Sequence, residues 1–160
     1  MNLFLLNDSR AWEMHTYTNL SELMCEFKKR NIQIGENCTI GERCELNNEV
    51  TIGANCTFGE NCEIRRYAEI GENCTFGENC TIDYRAVVRN NAVIGKFGVL
   101  GSESLIGSYA NIGAYCIVKV GATVAPLFIV EEFETYKNSD EVPYRHTDFQ
   151  KLLHDISKLY

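Results

Sequence analysis

From Ile34 to Val124, every sixth residue is aliphatic or Phe, sixteen times without a slip. The series is Ile34, Ile40, Leu46, Ile52, Phe58, Ile64, Ile70, Phe76, Ile82, Val88, Ile94, Leu100, Ile106, Ile112, Val118 and Val124. A fixed internal period outranks local propensity, because it says that one structural unit is stacked on itself. Six is neither the helical period nor the strand period alone. The unit reads Ile-Gly-Glu-Asn-Cys-Thr, as at Ile34 to Thr39 and Ile70 to Thr75. Its first position is large and apolar, its second often Gly, its fourth often Asn, its fifth small. Two inward positions separated by two residues fit one short strand followed by a bend. Gly and Asn tolerate positive φ at such a bend.

This pattern resembles the hexapeptide-repeat family, whose units build a left-handed parallel β-helix with three hexapeptides in each triangular coil. The resemblance covers Ile34 to about Val124, roughly five coils. It implies an all-β fold with a crossover of the opposite hand to ordinary parallel strands. Residues eighteen apart then stack at about 4.8 Å. Asn37, Asn55, Asn73 and Asn91 form one corner ladder, and Thr39, Thr57 and Thr75 a short outward one. No long loop interrupts the repeats. Many enzymes of the family carry catalytic groups on such a loop.

The chain divides into a cap segment (1–33), the β-helix (34–124) and a C-terminal extension (125–160). Asn19, with Glu22 three residues on, marks a helix over about residues 19–30. Leu20, Leu23, Met24 and Phe27 share its apolar face. Lys28, Lys29 and Arg30 complement the dipole in its last turn. Such a helix covers the open first coil, whose backbone groups are otherwise unpaired. After Val124 the pattern dies at Ala125-Pro126, and Phe128 to Phe133 offers one more strand. Asn138 to Pro143 reads as a turn. The capping box Thr147 to Gln150 opens an amphipathic helix over about residues 147–159, with Phe149, Leu152, Leu153, Ile156 and Leu159 in one stripe.

The chain has 160 residues and net charge −7. That balance argues against nucleic acid or an anionic membrane as partner. Leu3 to Leu6 is too short to span a membrane and lacks a signal peptide's basic region and cleavage site, so the expected location is cytoplasmic. Of the eight cysteines, Cys38, Cys44, Cys56, Cys62, Cys74, Cys80 and Cys116 occupy the small fifth position of the repeat. They read as small buried hydrophobes. Their columns hold the Cβ atoms too far apart for unstrained disulfides and do not converge tetrahedrally on zinc. Buried free thiols suit a reducing compartment. Cys25 lies outside the repeat.

The resemblance implies acyl transfer from acetyl-CoA or another acyl-CoA to a small amine or hydroxyl, in a homotrimer, with His as general base. The three histidines are His15, His146 and His154, none in the coils. That absence argues against the γ-class carbonic anhydrase branch of the family, which holds zinc with three His, and no metal is expected. His15 and His146 are the candidate bases, reaching an intersubunit cleft from the flanks. His154 lies on the polar side of the last helix. Along one corner the Gly-Glu-Asn pattern gives way to Arg65-Arg66-Tyr67 and Asp83-Tyr84-Arg85. Arg65, Arg66, Tyr84 and Arg85 are candidates for binding a carboxylate or phosphate. The same groups also suit a cross-coil charge ladder or the trimer seam. Apolar residues in the later coils, such as Val99, Tyr109, Tyr115 and Ile117, call for a protein partner or a covering helix. A catalytically silent trimeric scaffold, or an assembly subunit, is the competing function. An ice-binding surface fits poorly, because the Thr column is short.

Overall fold

A computed structural model describes residues 1–7 and 9–137, and in it the period of six becomes a parallel β-solenoid of about six turns. Each repeat gives one two- or three-residue strand, and every third strand pairs in parallel. Three sheets result, of eight, six and six strands. The register steps by eighteen residues, as in Thr39 to Thr57 to Thr75 and Phe58 to Phe76 to Ile94. The expected Thr column therefore forms, and its members face outward. First-position side chains from Ile40 onward fill the interior at near-zero exposure. Within it Phe58 and Phe76 stack with centroids 4.6 Å apart and planes 5° from parallel.

Each fourth position sits in the left-handed region. The Asn column has φ of 57° at Asn37, 59° at Asn55, 57° at Asn73 and 62° at Asn91. Asn37 Nδ2 donates to Asn55 Oδ1 at 3.3 Å, the side-chain rung of that ladder. The glycines do a different job from the one the repeat suggested. Those of the second position keep ordinary φ, and a Cβ built on Gly35 would lie 2.4 Å from the Ala54 backbone nitrogen of the next coil. They are selected for close backbone approach, not for positive φ. The cysteines contribute more than bulk. Each Sγ in the repeat lies within hydrogen-bond distance of a carbonyl fifteen residues on, for example Cys62 to Gly77 at 3.1 Å and Cys80 to Gly95 at 3.2 Å. Burial pushes the Cys38 and Cys116 thiols up, which keeps them protonated as donors.

The solenoid does not stop at Val124. Ile129–Val130 and Thr135–Tyr136 add strands that pair with Asn111–Ile112 and Ile117–Val118. Ala125-Pro126 only looked like a terminator. Pro126 occupies a turn position whose N–H the coil-to-coil ladder does not use, and Leu127 N still donates to Ser108 O at 3.0 Å. The C-terminal helix expected over 147–159 lies outside the described residues.

The cap holds a second departure. Asn2–Leu6 (β1) and Trp12–Thr16 (β2) form an antiparallel hairpin, and β1 adds in parallel to Cys44–Leu46. The short apolar run at Leu3 was a strand, with Leu3 and Leu5 facing the core. A 3₁₀ turn, Leu20–Leu23, then leads into α1, Met24–Lys29. Asn19 caps it by accepting from Ser21 N at 3.0 Å, while Glu22 reaches back to Thr18 N instead of Asn19 N. Leu23 and Phe27 are buried as expected, but Met24 is exposed. The tighter 3₁₀ turn of three residues aligns Leu20 with Leu23 and rotates Met24 outward. Tyr17 pins the hairpin to the prism by donating its hydroxyl to Ile40 O at 2.8 Å.

Candidate functional site

His15 sits on β2 opposite Leu3, on the core-facing side of the hairpin, together with Glu13 opposite Leu5. Its Nε2 is buried, has no hydrogen-bond partner and lies 3.8 Å from Glu13 Oε2. Glu13 is held in turn by Arg30 Nη2 at 2.7 Å and by Asn7 Nδ2 at 3.0 Å. Arg30 is 8% exposed. It also pairs with Glu26 at 2.6 Å and donates from Nε to Leu6 O at 2.9 Å. Arg30 complements the end of α1, where its Nη1 donates to Glu26 O at 3.2 Å, and is also the buried hub joining α1 to the hairpin. No sequence signal marked this network, because Glu13 and Arg30 meet only once the unforeseen hairpin has formed. Hydrogen bonds from Lys29 and then Arg30 lower the Glu26 carboxyl to about 2.

Arg65, Arg66, Tyr84 and Arg85 come together outside the corner that follows the Glu63–Ile64 and Thr81–Ile82 strands. The eighteen-residue stack brings Arg65 Nη1 to Asp83 Oδ1 at 3.1 Å, while Arg65 Nε reaches Glu63 at 2.7 Å. Arg66 is engaged by Glu49, whose carboxyl this hydrogen bond lowers. The Arg66 guanidinium also lies 4.8 Å from the Tyr67 ring centroid. Tyr67 and Tyr84 meet edge to face at 5.6 Å, and Arg85 covers both, at 5.7 and 5.0 Å. Burial raises the Asp83 carboxyl, but the Tyr84 N–H, Ser102 and Arg65 outweigh it and leave it lowered. Two of the three arginines are thus engaged by carboxylates of their own chain. Among the described residues Arg85 forms no ion pair, which leaves its guanidinium stacked on tyrosines and available to an anion.

These two clusters do not converge. His15 lies on the edge strand of the cap hairpin, partly exposed, while the Arg–Tyr ladder lies outside a prism corner and at least one coil further along the same sheet. His146 and His154 are outside the described residues. An open groove of about 460 Å³ runs beside α1, lined by Met24, Cys25, Phe27, Lys28, Asn31 and Ile32 among others. His15 does not line it. Among the described residues no helix is long and apolar enough to cross a membrane.

Known proteins share this architecture. Residues 31–66 match the model for the bacterial transferase hexapeptide (six repeats), and residues 67–96 match the hexapeptide repeat of succinyl-transferase. No curated protein matches the chain. Among solved structures, the acetyltransferase domain of PglB from Neisseria gonorrhoeae aligns with TM-score 0.62 at 14% identity, over 65% of this chain and 50% of that one. This chain therefore spans half the length of that domain. A hexapeptide-repeat acetyltransferase from Vibrio cholerae aligns with TM-score 0.59 at 17% identity, over 75% and 78%. AntD, an N-acyltransferase from Bacillus cereus solved with dTDP and coenzyme A, aligns with TM-score 0.56 at 14% identity, over 91% and 100%. At these identities the likeness is one of fold. Repeat, register and family match agree that the chain is a hexapeptide-repeat protein.

Proposed function

We propose that this chain is a transferase that moves an acyl group from acetyl-CoA or another acyl-CoA to a small amine or hydroxyl, and that it acts as a homotrimer. The observation that carries this reading is the hexapeptide solenoid, a fold shared with acyltransferases solved in complex with coenzyme A. The candidate bases are His15 and His146. In His15 the Nε2 faces Glu13 Oε2 at 3.8 Å, a placement in which the carboxylate sets the direction of the imidazole. The other ring nitrogen is then the one to meet an acceptor. Arg85 and Tyr84, with Arg65 and Arg66 beside them, supply an anion-binding face suited to a phosphate or to a neighbouring subunit.

A thiol-release assay tests this reading, using acetyl-CoA with a panel of small primary amines and sugar hydroxyls. The expected result is turnover that His15→Ala or His146→Ala lowers by about 10²–10⁴-fold, the range of a lost general base. A second reading, a catalytically silent trimeric scaffold, is favoured by one observation. Arg65 and Arg66 are engaged by Glu63, Asp83 and Glu49, and His15 Nε2 faces inward. Sedimentation would return a trimer under either reading, so turnover separates the two.

A further inference from the structure

Strand β2 is an open edge. It stands last in the eight-stranded sheet, and among the described residues no strand pairs with its outer side. The register with β1 fixes which groups that side presents. Tyr17 N donates to Met1 O at 3.0 Å and Asn7 N to Ala11 O at 2.9 Å, while Leu3 and Leu5 lie opposite His15 and Glu13. Hydrogen-bonded and free positions alternate along an antiparallel pair. The odd residues of β2 therefore direct their main-chain groups at β1, and Trp12, Met14 and Thr16 turn theirs to the open side. Natural edges are blunted by Lys, Pro, bulges, inward-pointing charges or extreme shortness. β2 has five residues in unbroken register and neither Lys nor Pro. Its one guard is the pair of charges on the core-facing side, Glu13 and His15. The opposite face is apolar, with Trp12 39% and Met14 60% exposed beside Leu6 and Phe4 of β1.

We infer that a second copy of this chain adds to this edge, β2 against β2, antiparallel about a two-fold axis through Met14. Charge selects both the partner and the register. With Met14 opposite its own copy, all five residues of both strands pair, and Glu13 of each chain stands directly opposite the partner's His15. Sliding one strand by two residues shortens the overlap and sets Glu13 against the partner's Glu13, or His15 against the partner's His15. Like charges directly opposite are destabilising, and a slide by one residue turns every side chain to the wrong face. Both groups stay reachable across the edge. The Glu13 side chain, although held by Arg30 and Asn7, is 46% exposed, and that of His15 is 21% exposed. The guard against random pairing thus becomes the selector of one pairing. On the other face the same register sets Met14 against the partner's Met14 and Trp12 diagonal to it, which joins two apolar patches into one. Strands of this sheet follow one another along the solenoid axis, so the contact joins two prisms at their capped ends and leaves the prism sides uncovered. It is a separate contact from that of the homotrimer proposed above, and the two are compatible.

The test reads mass and cross-linking in the full chain, so its outcome is independent of turnover. Sedimentation of the unaltered chain is expected to give an even number of protomers. Met14→Lys and Met14→Glu change an exposed side chain and place like charges on the axis. Each alone is expected to halve that mass with the folded circular dichroism retained, and mixing the two restores it, because Lys then meets Glu. An odd number of protomers in the unaltered chain overturns the inference. So does a mass that both substitutions leave unchanged, or one that mixing fails to restore. Cross-linking then fixes the register. Met14→Cys, made together with Cys25→Ser, brings two thiols to the axis, where the Cα separation of a hydrogen-bonded antiparallel pair, about 5.5 Å, lies inside the disulfide window. Under diamide it is expected to form an interchain disulfide at least tenfold faster than Thr57→Cys, an exposed position on the early coils, in the same background. Equal rates overturn the β2 pairing even where the mass is even, because they place the contact elsewhere.

Discussion

The corners up to Asn91 are mostly polar, Tyr67 excepted, and those from Val93 onward are mostly aromatic or aliphatic, Glu103 and Gly121 excepted, on one and the same backbone. In the early coils the left-handed corner is Asn at seven positions between Asn31 and Asn91. In the later coils the same φ, between 58° and 63°, is held by Phe97, Tyr109, Tyr115, Leu127 and Phe133. Asn adopts this conformation cheaply, whereas a bulky side chain pays about 1–2 kcal/mol. Stacking returns about 0.5–1.5 kcal/mol for each aromatic pair, and the ladder from Phe97 to Phe133 has two. The corner geometry is therefore imposed by the inward residues and by stacking between coils. Corner residues are left to serve the surface. In the early coils that surface is polar; in the later ones it is apolar and exposed.

This contrast can be broken or sharpened by substitution, with stability read by chemical denaturation. The largest effect belongs to the shared interior. Phe76→Ala removes a ring that is 2% exposed and stacked on Phe58, and should cost about 3–5 kcal/mol. Next comes coil spacing. In Gly59→Ala the new Cβ would lie 2.6 Å from the Glu78 backbone nitrogen, so the coils must part, at about 1–3 kcal/mol. A loss below 0.5 kcal/mol would show that the coils are not in backbone contact there.

Corner exchange is the sharper pair. Asn73→Ala should cost about 1 kcal/mol, because Ala lacks the local hydrogen bonding that eases left-handed backbone. Tyr109→Asn, which continues the Asn37 to Asn91 column, should instead stabilise by about 0.5–1 kcal/mol. If both substitutions destabilise equally, the late corners are not strained and the contrast fails.

Acid lability is the smallest effect and isolates the cap. The Glu26 carboxyl is lowered from 4.5 to about 2 by Lys29 and Arg30. A depressed folded value adds stability that is full above the unfolded value and is lost as pH falls from about 4.5 towards 2. Glu26→Gln should flatten the unfolding midpoint across that window relative to the unsubstituted chain. An unchanged slope would place the acid sensitivity in other carboxylates.

The solenoid was legible because its signal is redundant. Sixteen first-position residues, seven small-position cysteines and a run of Asn corners all state one register. Where redundancy thinned, reading failed. Val130 and Tyr136 stand on the period, but Ala125, Pro126 and Phe128 replace the usual Gly, polar and small residues, so the strand at Ile129–Val130 was expected and the one at Thr135–Tyr136 was missed. β1 has only Leu3 and Leu5 to mark it, too few for a period of two to declare itself. The site was legible only in part. Stacking at eighteen residues placed Arg65 beside Asp83 and Tyr67 beside Arg85 in advance, since fold register alone decides those neighbours. Pairing of Arg66 with Glu49 and of Arg30 with Glu13 depended on side-chain direction and on a hairpin that no period announced.

Calorimetric titration of the full chain with acetyl-CoA, checked by the shift in its thermal unfolding, tests the proposed function most directly, because it needs no knowledge of the acceptor. A ligand that binds only the native state raises stability by mass action, about 2.7 kcal/mol at a hundredfold excess over Kd. The account predicts a saturable heat and a matching rise in midpoint. A folded protein of known oligomeric state that shows neither with millimolar acetyl-CoA would contradict acyl transfer and leave the solenoid as a scaffold.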